Sequence, residues 1–145
     1  MYLVDTNVIF AVSPNRPVPV ALAEWMETQS ASLFLSVVTI TEIEDGIAKL
    51  RREKATRRSK DLALWLEAVL HLYGGRILTF DAAAARLAGT LSDRARGQGH
   101  APGFADIIIA ATARQHALTI LSRNVRHFEP LGVPVLNPFV DLLPS

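Results

Sequence analysis

The chain has no cysteine, which excludes disulfide bonds and thiolate metal sites. Long apolar runs are missing too. The longest, IIIAATA, is far short of the ~20 residues that cross a bilayer, so no membrane span is expected. The N-terminus lacks the charged-then-apolar layout of a signal peptide, and these absences together predict a cytoplasmic protein. Charge of one sign is scarce: the net charge is only +1, without the overall basicity of a dedicated nucleic-acid binder, so any such role depends on local clustering. Internal repeats and low-complexity stretches are also absent. What remains is a chain of 145 residues, half of them apolar, which suits a single domain over 1–145 with a sizeable core. Composition alone leaves function open.

Short apolar, β-branched runs predict strands at YLVD near the start, LFLSVV at 33–38, RILTF at 76–80, LTILS at 118–122 and VPVLN near the end. Helical patterns lie between them. One carries VALAEWMETQ; the next, TEIEDGIAKLRREK, spaces Ile40, Ile43, Ile47 and Leu50 for one face. A third repeats through Leu62, Leu66, Val69 and Tyr73 and stops at Gly74-Gly75. A fourth opens at Asp81, a candidate N-cap, and a fifth is FADIIIAATARQH. Strands alternating with helices over the whole length imply βα units and an α/β fold with a mainly parallel sheet covered on both faces.

In such a sheet, residues just after different strands converge at one edge. Three acids are placed for this: Asp5 after the first strand, Glu42 in the first turn of the helix after the second, and Asp106 in the first turn of the helix before the fourth. Carboxylates brought together repel unless a cation joins them, and hard oxygen ligands favour Mg²⁺ or Mn²⁺. Each acid also has a purely structural explanation. Asp5 can cap a helix beginning TNVIF, Thr39 and Glu42 have capping-box spacing, and Asp106 can complement a helix N-terminus. Helical geometry does not separate Glu42 from Glu44 or Asp45, since Glu42 and Glu44 flank the Ile43/Ile47 stripe almost symmetrically.

The stretches LVDTNVI, LSVVTITEIEDGI, RILTFDAAAARLAG and ADIIIAATARQHALTILSRNVRHF, followed by VPVLNPF, span almost the whole chain. In this order they resemble the PIN-domain ribonucleases, particularly the VapC and FitB-like toxins of bacterial toxin–antitoxin pairs. The resemblance implies a three-layer α/β/α domain with a central sheet of about five strands. It also implies that Asp5, Glu42 and Asp106 bind Mg²⁺ or Mn²⁺, and so selects Glu42 over its acidic neighbours. The implied activity is metal-dependent endoribonuclease cleavage of tRNA, rRNA or mRNA by a homodimeric toxin with a VapB-type antitoxin.

The chain departs from the family's fourth acidic position, where the segment reads SRNVRHF. Asn124 keeps an oxygen ligand without the charge and stands as a fourth catalytic candidate holding a metal-bound water, and His127 is a supporting candidate whose structural alternative is an exposed strand-end side chain. Thr6 and Asn7 are further supporting candidates that could orient Asp5 or a metal-bound water. Seven Lys or Arg residues against one Glu occupy KLRREKATRRSK, so Arg51 and Arg52 are candidates for RNA contact, with a solvated helix end as the alternative. Arg123 and Arg126 are further candidates, closer to the expected site. A phosphatase of the haloacid-dehalogenase type would require a second acid at DxD, which Asp5-Thr6-Asn7 lacks. The remaining alternative is a catalytically silent PIN-like module that binds RNA or a partner protein.

Overall fold

The computed structural model describes residues 1–141, 143 and 144. Five short strands, β1 (Tyr2–Val4), β2 (Leu33–Ser36), β3 (Ile77–Leu78), β4 (Thr119–Leu121) and β5 (Val135–Leu136), form one sheet in the order β3-β2-β1-β4-β5. Every pairing is parallel. Seven α-helices connect and cover the strands: α1 (Thr6–Phe10), α2 (Val20–Thr28), α3 (Val37–Arg52), α4 (Thr56–Tyr73), α5 (Ala82–Gly97), α6 (Phe104–Gln115) and α7 (Val125–Phe128).

The strand sequences dictate the layering. Successive strand side chains point to opposite faces, so a strand buried on both sides must be apolar throughout. Leu3 and Ile120 enter one core with residues of α5 and α6, whereas Val4 and Leu121, their neighbours in sequence, enter the other with residues of α1, α2, α3 and α4. The result is an α/β/α sandwich with a core on each face of the sheet. Fully burying a side chain such as Leu35 or Ile43, both at 0% exposure, contributes about 1.5–3 kcal/mol. Gly74 closes α4 at φ 48°, in the left-handed region that an L-residue with a Cβ rarely enters.

The boundaries differ from the sequence expectation where a cap overrides propensity. The apolar run 33–38 is not all strand, because Val37 and Val38 begin α3. Ser36 turns the chain there: its side chain accepts the Val38 N–H at 3.1 Å and caps the helix. Glu42 consequently lies in the second turn of α3 rather than the first. The Thr39–Glu42 capping box does not form; Thr39 is fully buried instead. His127 is not at a strand end but on α7, a single turn that no apolar periodicity announces.

Candidate active site

Parallel strands leave their last residues at one edge, and the connections diverge to opposite sides where β1 and β4 lie adjacent, opening a crevice between them. Asp5 leaves β1 and Ser122 leaves β4 at this crevice. The backbone N–H of Asp5 donates to the Leu121 carbonyl at 2.9 Å, locking the two strand ends together.

The Asp5 carboxylate is 5% exposed and divides its two oxygens between two tasks. Oδ1 accepts the Thr6 N–H at 2.8 Å and caps α1. Oδ2 accepts the Ser122 hydroxyl at 2.6 Å and the Asn7 amide at 3.2 Å. The same Ser122 oxygen accepts the Asn124 N–H at 2.9 Å and the Asn7 amide at 3.2 Å, so one hydroxyl ties the segment after β4 to the segment after β1. Asn7 closes the loop by accepting the Arg123 N–H at 3.1 Å.

Glu42 reaches the same edge from α3. The Thr6 hydroxyl donates to Glu42 Oε1 at 2.7 Å and lies 3.0 Å from the Thr39 hydroxyl. Since an ionised carboxylate only accepts, Thr6 donates its proton to Glu42 and Thr39 donates to Thr6. Asp106, in the first turn of α6, has Oδ2 3.1 Å from His127 Nδ1. Burial pushes the Asp5 carboxyl above the usual carboxylate range; the hydrogen bonds from Ser122 and Thr6 pull it back, and the charges of Asp106 and Glu42 push it up again. Both other acids thus act electrostatically on Asp5.

This donor set fits a hard divalent cation. Among the described residues neither Asp5 nor Glu42 has a Lys or Arg ion-pair partner, and Asp106 has the His127 ring nitrogen as its neighbour. Among those residues no three Asp, Glu or His side chains are gathered closely enough to hold a metal ion by themselves. A spread arrangement of carboxylates suits a hard divalent cation that keeps several water ligands.

The PIN domain family model matches residues 2–131. This chain belongs to the PIN-domain family. It is 36% identical to the toxin FitB of Neisseria gonorrhoeae over 97% of this chain and the whole of that protein. It is 35% identical to the VapC ribonuclease Y4jK of Sinorhizobium fredii over 96% of this chain and 98% of that one. The solved FitAcB structure from Neisseria gonorrhoeae superimposes with a TM-score of 0.84 at 34% identity, covering 97% of this chain and 99% of the matched chain.

Within this PIN domain, the residues expected from sequence separate into two groups. Asp5, Thr6, Asn7, Glu42, Asp106, Asn124 and His127 meet at the crevice edge, Asn124 through its backbone N–H. Arg126 lines a cavity of about 300 Å³ with Asp106 and His127, and Arg123 adjoins Asn7. Arg51 and Arg52 do not join them, since they lie about 14 Å beyond Glu42 along α3 at a rise of about 1.5 Å per residue. The basic run around them is split: Lys49 and Arg58 line one cavity and Arg51 and Lys60 another. Glu44 and Asp45 are exposed to solvent. Sequence reasoning missed Ser122 and Thr39. The rule that picked out Asp5, a polar residue directly after an apolar strand, would have found Ser122; Thr39 carries no such signal.

Proposed function

We propose that this PIN domain, one folded unit over residues 1–145, is a divalent-metal-dependent endoribonuclease and the toxin of a toxin–antitoxin pair. The observation that carries the reading is a buried Asp5 carboxylate, raised in pKa by its burial and further by Asp106 and Glu42, and given no cation by the described residues, at the crevice between β1 and β4. Asp5, Glu42 and Asp106 would hold Mg²⁺ or Mn²⁺, which when bound lowers the pKa of a water and offsets negative charge on the phosphate.

The chain's own residues supply the rest. Ser122, Asn7 and the Thr6 N–H fix both Asp5 oxygens, while Thr39 and Thr6 aim Glu42. His127 holds Asp106, Asn124 offers an uncharged oxygen where a fourth acid would stand, and Arg123 and Arg126 bring positive charge for phosphate. Hydrolysis forms a bond from water oxygen to phosphorus and breaks the bond to the 3′ oxygen, which leaves with a proton, so products carry 5′-phosphate and 3′-hydroxyl ends.

The substrate is RNA with an accessible loop, such as tRNA or rRNA, because a regular A-form helix hides base edges that a loop exposes. Likeness to the toxin FitB supports a toxin with a cognate antitoxin; an antitoxin of the VapB type, a homodimeric toxin and action in the cytoplasm complete the proposal. Purified protein is expected to cleave structured RNA with Mg²⁺, to stop in EDTA and to be inactive as Asp5→Asn. Metal-stimulated cleavage that survives Asp5→Asn, at equal folded concentration, would overturn the assignment of the centre.

A further inference from the structure

The C-terminal segment after β5 places an aromatic ring against a cation at the edge where the acids converge. The Arg123 guanidinium lies 4.0 Å from the centroid of the Phe139 ring. The two residues come from adjacent strand ends: β4 and β5 pair in parallel, Leu121 opposite Leu136, and the Ser122 N–H donates to the Leu136 carbonyl at 3.0 Å. Arg123 and Phe139 follow within three residues of those ends, so the sheet itself sets them side by side.

Phe139 is held from two directions. Its ring packs against the core that contains Val4, Val8 and Leu121. Its backbone is set by a tight turn, with Asn137 Oδ1 accepting the Phe139 N–H at 3.0 Å and Asp141 Oδ2 accepting the Asn137 N–H at 2.7 Å. Arg123, by contrast, is exposed and has no carboxylate partner among the described residues. Stacking occupies the face of a guanidinium and leaves its N–H groups, which lie in the plane, free to bind two oxygens at once. Arg123 also follows Ser122, the residue that grips Asp5, and donates its backbone N–H to Asn7.

The geometry points to Phe139 as a positioning residue that pre-sets the guanidinium of Arg123, whose backbone borders the acidic centre, to bind a phosphate of the RNA. The inference rests on the ribonuclease reading and deepens it. The ring lies beyond residue 131, where the PIN domain match ends, at the last residue of the VPVLNPF stretch. Without the ring, the long arginine side chain would have to be ordered at the moment of binding, which costs affinity.

The test is RNA affinity, measured on the full-length protein with a labelled single-stranded oligoribonucleotide of mixed sequence, in EDTA and over a range of salt. Arg123→Ala is expected to weaken binding and to flatten the log–log salt dependence by about 0.7, the value of one phosphate contact on a single strand. Phe139→Leu keeps apolar bulk on the core but removes the aromatic face, and should weaken binding about two- to tenfold. Phe139→Trp should restore it, and the double variant Arg123→Ala/Phe139→Leu should bind no worse than Arg123→Ala alone. Thermal melts of each variant keep a folding defect apart from a positioning defect; should Phe139→Leu melt early, Phe139→Trp and the Arg123→Ala salt slope decide. Wild-type affinity and salt slope in Phe139→Leu, or losses that multiply in the double variant, would overturn the inference while leaving the ribonuclease reading intact. Wild-type protein that neither binds nor cleaves RNA would remove both.

Discussion

Asp5 caps a helix and also lies where the acids converge, so its structural role is observed and leaves one carboxylate oxygen for the proposed metal-binding role. The cap uses Oδ1, while Oδ2 is fixed by Ser122 and Asn7. A carboxylate with both oxygens held cannot swing away from its acidic neighbours, and a cation there would offset their repulsion. Asp5→Asn, Glu42→Gln and Asp106→Asn are each expected to reduce RNA cleavage to background with the fold retained, as read by gel assay and circular dichroism; Glu44→Gln, an exposed change, should leave activity unaltered and shift stability by no more than about 0.5 kcal/mol. Full activity in any of the first three removes that residue from the centre. Ser122 makes a sharper case because it carries no charge. Its hydroxyl pulls the Asp5 carboxyl down toward its ordinary range, so Ser122→Ala should weaken Mn²⁺ binding about 10- to 100-fold by calorimetry, and Ser122→Thr should recover most of it. Unchanged Mn²⁺ affinity in Ser122→Ala would show that the hydrogen bond does not tune the ligand.

At the scale of elements, the helix starts decide where the acids stand. Ser36 begins α3 earlier than its apolar pattern suggests and so carries Glu42 to the second turn, level with Thr6. Asp81 does similar work on the opposite face of the sheet. It caps α5 by accepting the Ala84 N–H at 2.9 Å, and Gln115 of α6 donates to both of its oxygens at 3.2 and 3.4 Å. The hydrogen bond from Ala84 first, and that from Gln115 next, hold the Asp81 carboxyl below its ordinary value of 3.8. For a group whose folded pKa is depressed, the stabilisation is present above the unfolded value and is lost as pH falls through the folded one. Asp81→Ala is therefore expected to lower the melting temperature at neutral pH, with the gap from wild type narrowing below about pH 4. Asp81→Ser, which keeps a capping oxygen, should lie between them. A gap that stays constant from pH 7 to acid conditions would mean that the charged carboxylate contributes nothing beyond side-chain bulk.

For the whole molecule, the sheet order makes one end of the structure reactive. Because β1 is central and flanked by β2 and β4, the chain returns to it from both sides, and segments far apart in sequence meet at one crevice. If the molecule is a toxin, expression alone should arrest bacterial growth, and co-expression of a small partner encoded beside it should restore growth and co-purify as a stable complex. Unimpaired growth with abundant soluble wild-type protein would favour a silent binding module instead.

Much of this was legible in the sequence because local physics is written locally. Alternating strand and helix patterns gave the parallel α/β/α architecture, since a strand buried on both faces must be apolar throughout, as Leu3-Val4 and Ile120-Leu121 are. Asp81 showed itself as a cap because a cap acts within three residues. Asp5, Glu42 and Asp106 could be named as acids near strand ends, but periodicity left Glu42 and Glu44 equivalent, and the motif resemblance chose between them. Only the tertiary structure decided that Ser122 holds Asp5 across 117 positions of sequence, that buried Thr39 steers Glu42 through Thr6, that Arg51 and Arg52 lie off the site, and that Phe139 meets Arg123. These contacts depend on strand order, register and the direction of each connection. Those are properties of the packed chain as a whole, and no short window of residues encodes which distant partner the fold will bring within hydrogen-bond reach.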